Sequence, residues 1–457
     1  MADKGLGGRL GRASKIARIG VTAASGAARA NARSRFTDRD PAEAHAEAAQ
    51  AIAAVLGEMK GAAMKIGQLL SLVDTDLPPE IRSAYHDALA QLRDSAPPVD
   101  TDQIVGVITR STGQSPDQLF AHFDETPLAA ASIGQVHAAT THDGRDVVVK
   151  VQYPGVAQAV RDDLSNAEVF TPLARFFSPN QDVASLLGEL RDRIDDELDY
   201  RREAQYQRAF ANRYAGHPYI EVPGVVAELS TDVVLVSDRV HGRRFDDVVA
   251  EGDPETLQRV GEIIFRYAFG SIGRFRLFNG DPHPGNYLVT DTGVAFLDYG
   301  SVKMFTKGRH ASMSEIETAA SLGDRDGFLT AMRRSGFLPD DPAIKHDEVW
   351  EWFQLYMRPV TAEQPFTFSS SFAAELLAAT GDPRSPYYAM LRRLNMPADY
   401  LLLTRIHLGL NSVLGRLDAA NDWASIRAEY TGDGEPQTEL GRRDAAWWAA
   451  QQATADA

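Results

Sequence analysis

The chain has 457 residues, 47 of them Lys or Arg and 63 Asp or Glu, for a formal net charge of −16. Its 44% hydrophobic and 9% aromatic content is that of a packed globular protein, and the length suits about three domains or a two-lobed unit with an extension. The absence of cysteine excludes disulfides, thiolate metal sites, iron–sulfur clusters and cysteine nucleophiles.

Residues 1–36 run against the overall charge. Lys4, Arg9, Arg12, Lys15, Arg18, Arg29, Arg33 and Arg35 face Asp3 alone, so this arm carries +7 and the remainder −23. Leu6, Leu10, Ala13, Ala17 and Val21 recur at helical spacing beside the cations. The arm therefore reads either as a solvated, disordered tail or as an amphipathic helix suited to an anionic membrane surface. Its Arg-rich, acid-poor make-up also fits a transit leader, and it lacks the apolar stretch of a secretory signal. The acidic body disfavours nucleic acid as a partner. IIFRYAFGSIGRF and YLLLTRIHLGLNSVLGRL are interrupted by Arg266, Arg274, Arg405 and His407, so they read as buried core helices rather than membrane spans. The expectation is a cytoplasmic protein whose membrane contact, where it has any, is peripheral.

A helical extension occupies 37–96. Asp40 and Pro41 form an N-cap and first-turn pair, and the Ala/Glu-rich stretch after them predicts a long helix to Val73. Within it, Lys65 and Gln68 of MKIGQLL share a face at i and i+3. Pro78 and Pro79 break this helix, a second runs to about Arg93, and Pro97 and Pro98 mark a boundary. From 97 to 242 the pattern becomes β-rich. A short helix precedes a hairpin made of SIGQVHAAT and DVVVKVQY around a THDGRD turn. A charged helix from about Val183 to Tyr214 follows, then two more strands, EVPGVVAEL and DVVLVSDRV. Residues 243–430 are mostly helical, apart from two short apolar runs, NYLVT and GVAFLDYG. The tail, 431–457, reads as loosely structured.

The segment NGDPHPGNYLV followed by GVAFLDYG carries the chemistry. Asp281 and Asn286 have the D-x-x-x-x-N spacing of a kinase catalytic loop, and Asp298 follows a hydrophobic strand in an Asp-Tyr-Gly triplet. A carboxylate can orient a reacting hydroxyl or take its proton, while an amide oxygen and a second carboxylate are hard ligands for Mg²⁺. Lys150, in VVVKV, is an ammonium in a strand that looks buried and so calls for a partner. An edge-strand lysine guarding against aggregation is the bland alternative. Glu197, Asp199 and Glu203 of ELDYRREA are candidate partners. Where a kinase carries its glycine-rich loop, AAASIGQV keeps only Gly134, and Ala129 and Ala131 stand at the other glycine positions. His283, between Pro282 and Pro284, reads more readily as a turn former than as a phosphate contact. The histidines show no i, i+4 pairing, so no zinc site is expected. The tryptophans read as packing residues.

Together KIGQ, AAASIGQV, VVVKVQYPGV, ELDYRREA, GDPHPGN and LDYG resemble the ABC1/UbiB/ADCK family of atypical, protein-kinase-like proteins, over roughly residues 55–305 with helical continuity to about 430. The resemblance implies an α+β, two-lobed fold, with a small β-rich N-lobe, a larger helical C-lobe and a helical N-terminal extension. It implies ATP or ADP with Mg²⁺ as ligands, Lys150 and Glu203 as a lobe-spanning ion pair, and Asp281 at the catalytic-loop position. Asn286 and Asp298 would bind metal, and Ala129, Ala130, Ala131 and Ser132 would form an Ala-rich loop ahead of Gly134. Lys65 and Gln68 would fold over the site and meet Glu197 and Asp199. It further implies ATPase or phosphotransferase chemistry in isoprenoid-quinone or lipid metabolism, with an isoprenoid or phenolic lipid as a partner. The chain departs from protein kinases at Asn279-Gly280, where they have His-Arg, at Tyr299, where they have Phe, and in lacking an APE-like element. A catalytically weak, nucleotide-gated module that binds lipid or protein is the alternative, and a soluble metabolite kinase a third.

Overall fold

The computed structural model describes residues 99–131, 133–165, 198–382, 384–395, 398–432 and 434–455. The basic arm, the extension with Lys65 and Gln68, and the predicted site residues Ser132 and Glu197 lie outside the described residues.

The N-terminal part begins with α1 (Thr101–Thr112), capped by Asp100 and closed at Gly113, and the single turn α2 (Pro116–Leu119). Strands β1 (His122–Ala130), β2 (Gly134–Thr140) and β3 (Asp146–Gln152) follow, then α3 (Val156–Ser165), α4 (Tyr200–Arg213), β4 (Ile220–Glu221) and β5 (Val234–Asp238). An antiparallel sheet runs in the order β1-β2-β3-β5. The alternation of DVVVKVQ explains which face β3 buries. Val147, Val149 and Val151 are fully buried against Ile104, Val107 and Ile108 of α1, a contribution of roughly 1.5–3 kcal/mol per side chain. Val148 and Lys150 therefore point to the opposite face. Lys150 pairs with Val136 on one side and Leu235 on the other, so β3 is a central strand and the edge-guard alternative does not hold.

Two expectations need correction. β1 is a strand the sequence pattern did not reveal, because it is an exposed edge containing Pro127 and two register shifts, with no apolar alternation to read. EVPGVVAEL is not a full strand. Ile220–Glu221 pairs with β9, Val225 makes a lone antiparallel bridge to Ser237, and the chain then turns through a 3₁₀ segment at Ala227–Leu229. Pro223 has no donor for a ladder, and the Gly224 N–H is bonded to Asp238 Oδ2 at 3.1 Å.

The C-terminal part opens with β6 (Arg243–Arg244), α5 (Phe245–Glu251) and α6 (Pro254–Phe275). Asp253 caps α6 and Pro254 takes its first position. Every residue from Val260 to Tyr267 is buried, so α6 is the central helix of this lobe, as its apolar run implied. Next come β7 (Leu277–Asn279), β8 (Tyr287–Val289), β9 (Val294–Phe296) and β10 (Val302–Met304). These make the sheet β4-β9-β8-β6 and the pair β10-β7. The remainder is helical: α7 (Lys307–Ser321), α8 (Arg325–Arg334), α9 (His346–Thr361), α10 (Ser370–Gly381), α11 (Tyr388–Leu391), α12 (Ala398–Arg416), α13 (Trp423–Thr431) and α14 (Glu439–Ala455). A small β11 (Phe366–Thr367) and β12 (Ala420–Asn421) pair lies among them. The tail is not loose: α14 docks into the core through Trp447, and its Asp444 receives Arg274 at 2.7 Å and His217 at 2.9 Å. Among the described residues no helix is long and apolar enough to cross a membrane.

Candidate active site

Strand alternation and two helical turns assemble the centre of the site. β3 presents Lys150, and α4 presents Glu203 four residues after Asp199, whose carboxylate accepts the Arg201 N–H at 3.0 Å and caps the helix. Lys150 Nζ lies 2.7 and 2.9 Å from the two Glu203 oxygens and 3.4 Å from Asp298 Oδ2. It also stands 5.1 Å from the centroid of the buried Tyr200 ring, within cation–π range. Glu203 is 4% exposed and Asp298 33%. Burial would pull the Lys150 ammonium down, but Asp298 and Glu203 hold it well above the ordinary lysine value. Burial pushes the Glu203 carboxyl up against the pull of Lys150.

The catalytic-loop candidates form the second half. Asn286 Nδ2 donates to Asp281 Oδ2 at 3.0 Å, and the Leu297 N–H donates to the Asn286 carbonyl at 3.0 Å, extending the β8–β9 ladder by one step. That step sets Asn286 beside the residue preceding Asp298. Asn279 ties the halves together: its Nδ2 donates to the Asp298 carbonyl at 2.7 Å and its Oδ1 accepts the Asp281 N–H at 3.3 Å. Asp298 Oδ1 accepts the Gly300 N–H at 2.9 Å. His283 Nδ1 accepts the Gly285 N–H at 3.0 Å, the turn-forming role expected of it.

Ala129 and Ala130 close β1 opposite Val136 and Gln135, and the Ala131 N–H donates to the Gly134 carbonyl, so the Ala-rich segment is the exposed β1–β2 turn. Gly134 is required by packing inside the sheet, since a Cβ there would sit 2.1 Å from the Val151 carbonyl oxygen. Lys150, Glu203 and Asp298 thus meet directly. Asp281 and Asn286 join them through Asn279 and β8–β9, Asp199 supports α4, and Ala129–Ala131 and Gly134 flank the β1–β2 turn.

The donor set fits a divalent cation. One ammonium stands against the three carboxylates of Glu203, Asp298 and Asp281, leaving an excess of two negative charges. Asn286 and Asp298 bring hard oxygens of the type Mg²⁺ prefers, and the same excess would repel a bare polyphosphate.

The model of the ABC1 atypical kinase-like domain matches residues 91–332, which include all five of these polar residues. The chain belongs to the ABC1 atypical kinase-like family. The atypical kinase coq-8 of Caenorhabditis elegans is 30% identical over 70% of this chain and 43% of its own length. COQ8 of Saccharomyces cerevisiae is 31% identical over 62% of this chain and 56% of its own. The chain spans about half the length of these curated relatives. A solved structure, Rv3197 of Mycobacterium tuberculosis in complex with erythromycin, aligns with a TM-score of 0.62 at 30% identity, covering 83% of this chain and 94% of that one.

Several residues escaped the sequence reading. Asn279 was seen only as a departure from His-Arg, yet it links the two aspartates. Phe210 lies seven residues after Glu203, hence on the same face of α4, and its ring stands 5.0 Å from that of the fully buried Tyr299. α4 is held at one end by an ion pair and at the other by an aromatic contact to the Asp-Tyr-Gly triplet. The i, i+7 spacing was available as a signal. The closeness of Gly409 in α12 to Pro282 was not: a Cβ at 409 would fall 2.6 Å from Pro282 Cγ.

Proposed function

We propose that the chain is an Mg²⁺-dependent, nucleotide-binding atypical kinase that hydrolyses ATP or transfers its phosphoryl group to a small or lipid-linked acceptor in isoprenoid-quinone or lipid metabolism. The observation that carries this reading is Lys150, bonded to Glu203 on one side and 3.4 Å from the partly exposed Asp298 on the other. Lys150 would exchange its longer contact for a nucleotide phosphate while Glu203 keeps its side chain in place. Asp281, oriented by Asn286 and Asn279, would position the attacking hydroxyl or water and receive its proton. Asn286 and Asp298 would hold Mg²⁺, which supplies charge neutralisation at the phosphate oxygens when bound. Lys65, Gln68, Glu197 and Asp199 would close over the nucleotide, and the arm of residues 1–36 would bring the protein to an anionic membrane bearing a phenolic or isoprenoid acceptor.

Phosphate release measured with anionic vesicles and a quinone-like phenol tests the assignment. Asp298→Asn should reduce turnover by at least about a hundredfold and remove the Mg²⁺-dependent part of nucleotide stabilisation. Wild-type turnover in the variant refutes the metal role.

A second reading, a nucleotide-gated binding module with little turnover, draws support from the Ala-rich β1–β2 turn and from the erythromycin complex of the related Rv3197. Under it, nucleotide raises the melting temperature while phosphate release stays at background with every acceptor.

A further inference from the structure

Away from the Lys150 cluster, α9, α10 and the turn leading into α11 form an open groove of about 590 Å³. That volume lies within the range that holds a small organic ligand. Its walls combine aromatic faces with charge in an uneven ratio. Trp350 and Tyr387 line it, and the Trp350 ring is braced from behind by Phe328, centroid to centroid 5.3 Å.

The lining charges do not cancel. Arg358 forks onto Glu375 with contacts of 2.7 and 2.9 Å, and Arg384 grips Asp382 with contacts of 3.0 and 2.8 Å. Each guanidinium is thereby matched by its own carboxylate in a two-point contact that an incoming anion would have to displace. Glu351 is a third carboxylate in the wall, and it has no ion-pair partner among the described residues. The Tyr387 phenol lies among these charges. Burial pushes it up, Glu351 is the next contributor in the same direction, Glu375 and Glu348 add to it, and Arg358 opposes. An anion finds no uncommitted guanidinium here, and a neutral ligand makes no use of the charge on Glu351. A cation with an apolar body uses both features, its charge meeting Glu351 and the electron-rich ring faces while its body covers Trp350 and Tyr387.

We propose that this groove is a binding site for an amphipathic organic cation, an amine on an aromatic or aliphatic body, with its ammonium at Glu351 and its body between Trp350 and Tyr387. The site is independent of the nucleotide reading, since it shares no residue with the Lys150 cluster.

Calorimetric titration of the full chain with three probes of equal length tests it: 4-phenylbutylamine, the neutral 4-phenylbutanol and the anionic 4-phenylbutyrate. The amine should bind one to one, roughly two- to fivefold tighter than the alcohol, as one exposed charge contact allows. The butyrate should bind weakest. Glu351→Gln should remove the amine's advantage and leave the alcohol unchanged. Glu351 is exposed, so this variant should fold normally. Trp350→Leu should weaken amine and alcohol together, and Tyr387→Leu serves the same end where loss of the Phe328 contact unfolds the first variant. Saturation with Mg²⁺-nucleotide should leave amine binding intact. Equal affinity for amine and alcohol, preference for the anion, amine binding insensitive to Glu351→Gln, displacement by nucleotide, or no amine binding up to its solubility limit would each overturn the proposal.

Discussion

Arg266 and Lys150 each have every N–H donor placed on an acceptor, yet Arg266 is shielded from solvent while Lys150 is only partly buried and shares a carboxylate that solvent reaches. Arg266 uses all five of its N–H donors, on Glu262 at 2.8 Å, both oxygens of Glu429 at 2.7 and 3.0 Å, Tyr430 at 3.2 Å and Thr438 at 3.0 Å, with its side chain fully shielded. Lys150 has one close carboxylate, a second at 3.4 Å that remains a third exposed, and beside it a Tyr200 hydroxyl with no hydrogen-bond partner. A saturated cluster has no capacity left for a ligand and serves to join α6, α13 and the segment before α14. The Lys150 cluster spreads its three donors over two carboxylates, the longest contact reaching the partly exposed Asp298, and shifted groups within reach of solvent are where binding chemistry is expected.

That contrast is sharpest when each cation is removed. Arg266→Ala strands two buried carboxylates and should cost about 3–5 kcal/mol, read as a large drop in the urea midpoint. A loss below about 1 kcal/mol would show that the network is not holding the C-terminal helices. Gly409→Ala is next, at about 1–3 kcal/mol, because its Cβ would meet the stiff Pro282 ring at 2.6 Å. Since Pro282 adjoins Asp281, turnover should fall more than nucleotide affinity. Lys150→Met should cost only about 1–2 kcal/mol, because Glu203, already pushed toward its neutral form by burial, can take up a proton in place of its lost partner. The same variant should lose the nucleotide-induced rise in melting temperature. An unchanged rise would place the nucleotide elsewhere.

How much of this was legible beforehand follows from range in sequence. β2 and β3 were readable because apolar alternation around a short turn is local, and so was the central helix α6. The pairing of Lys150 with Glu203 came from resemblance, since nothing local joins residues 53 apart. β1 was missed because an exposed edge has no buried face to leave a pattern. α14 was misread because its anchors, Trp447 and Asp444, are isolated in an Ala-rich stretch, and their partners Tyr214, His217 and Arg274 lie far upstream. Asn279 was visible as a residue and invisible as a bridge, because its value depends on the two backbones it joins.

The gentlest test of the contrast is pH. His217, His137 and His407 are each pushed below the ordinary value of 6.5, foremost by burial. For His217 the bond to Asp444 pulls back upward, and Arg274 and Arg443 add to the downward shift. Below about pH 6.5 the unfolded chain therefore binds more protons than the folded one, and stability should decline as pH falls through that value, by at most about 1.4 kcal/mol per pH unit for each histidine. Burial alone would raise the Asp444 carboxyl, but hydrogen bonds from His217 and Arg274 hold it well below the usual range, so its stabilising contribution is intact at these pH values and fades only under stronger acid. Urea midpoints between about pH 7.5 and 5.5 should show the slope in the wild type. His217→Gln should lessen it by that histidine's share, since glutamine can still donate to Asp444 yet takes up no proton. Lys150→Arg should leave the slope as it is, because a guanidinium stays charged throughout this window and keeps Glu203 paired. If Lys150→Arg lessens the slope and His217→Gln leaves it unchanged, the proton-sensitive cluster is the one around Lys150, and the division between a structural network and a working site fails.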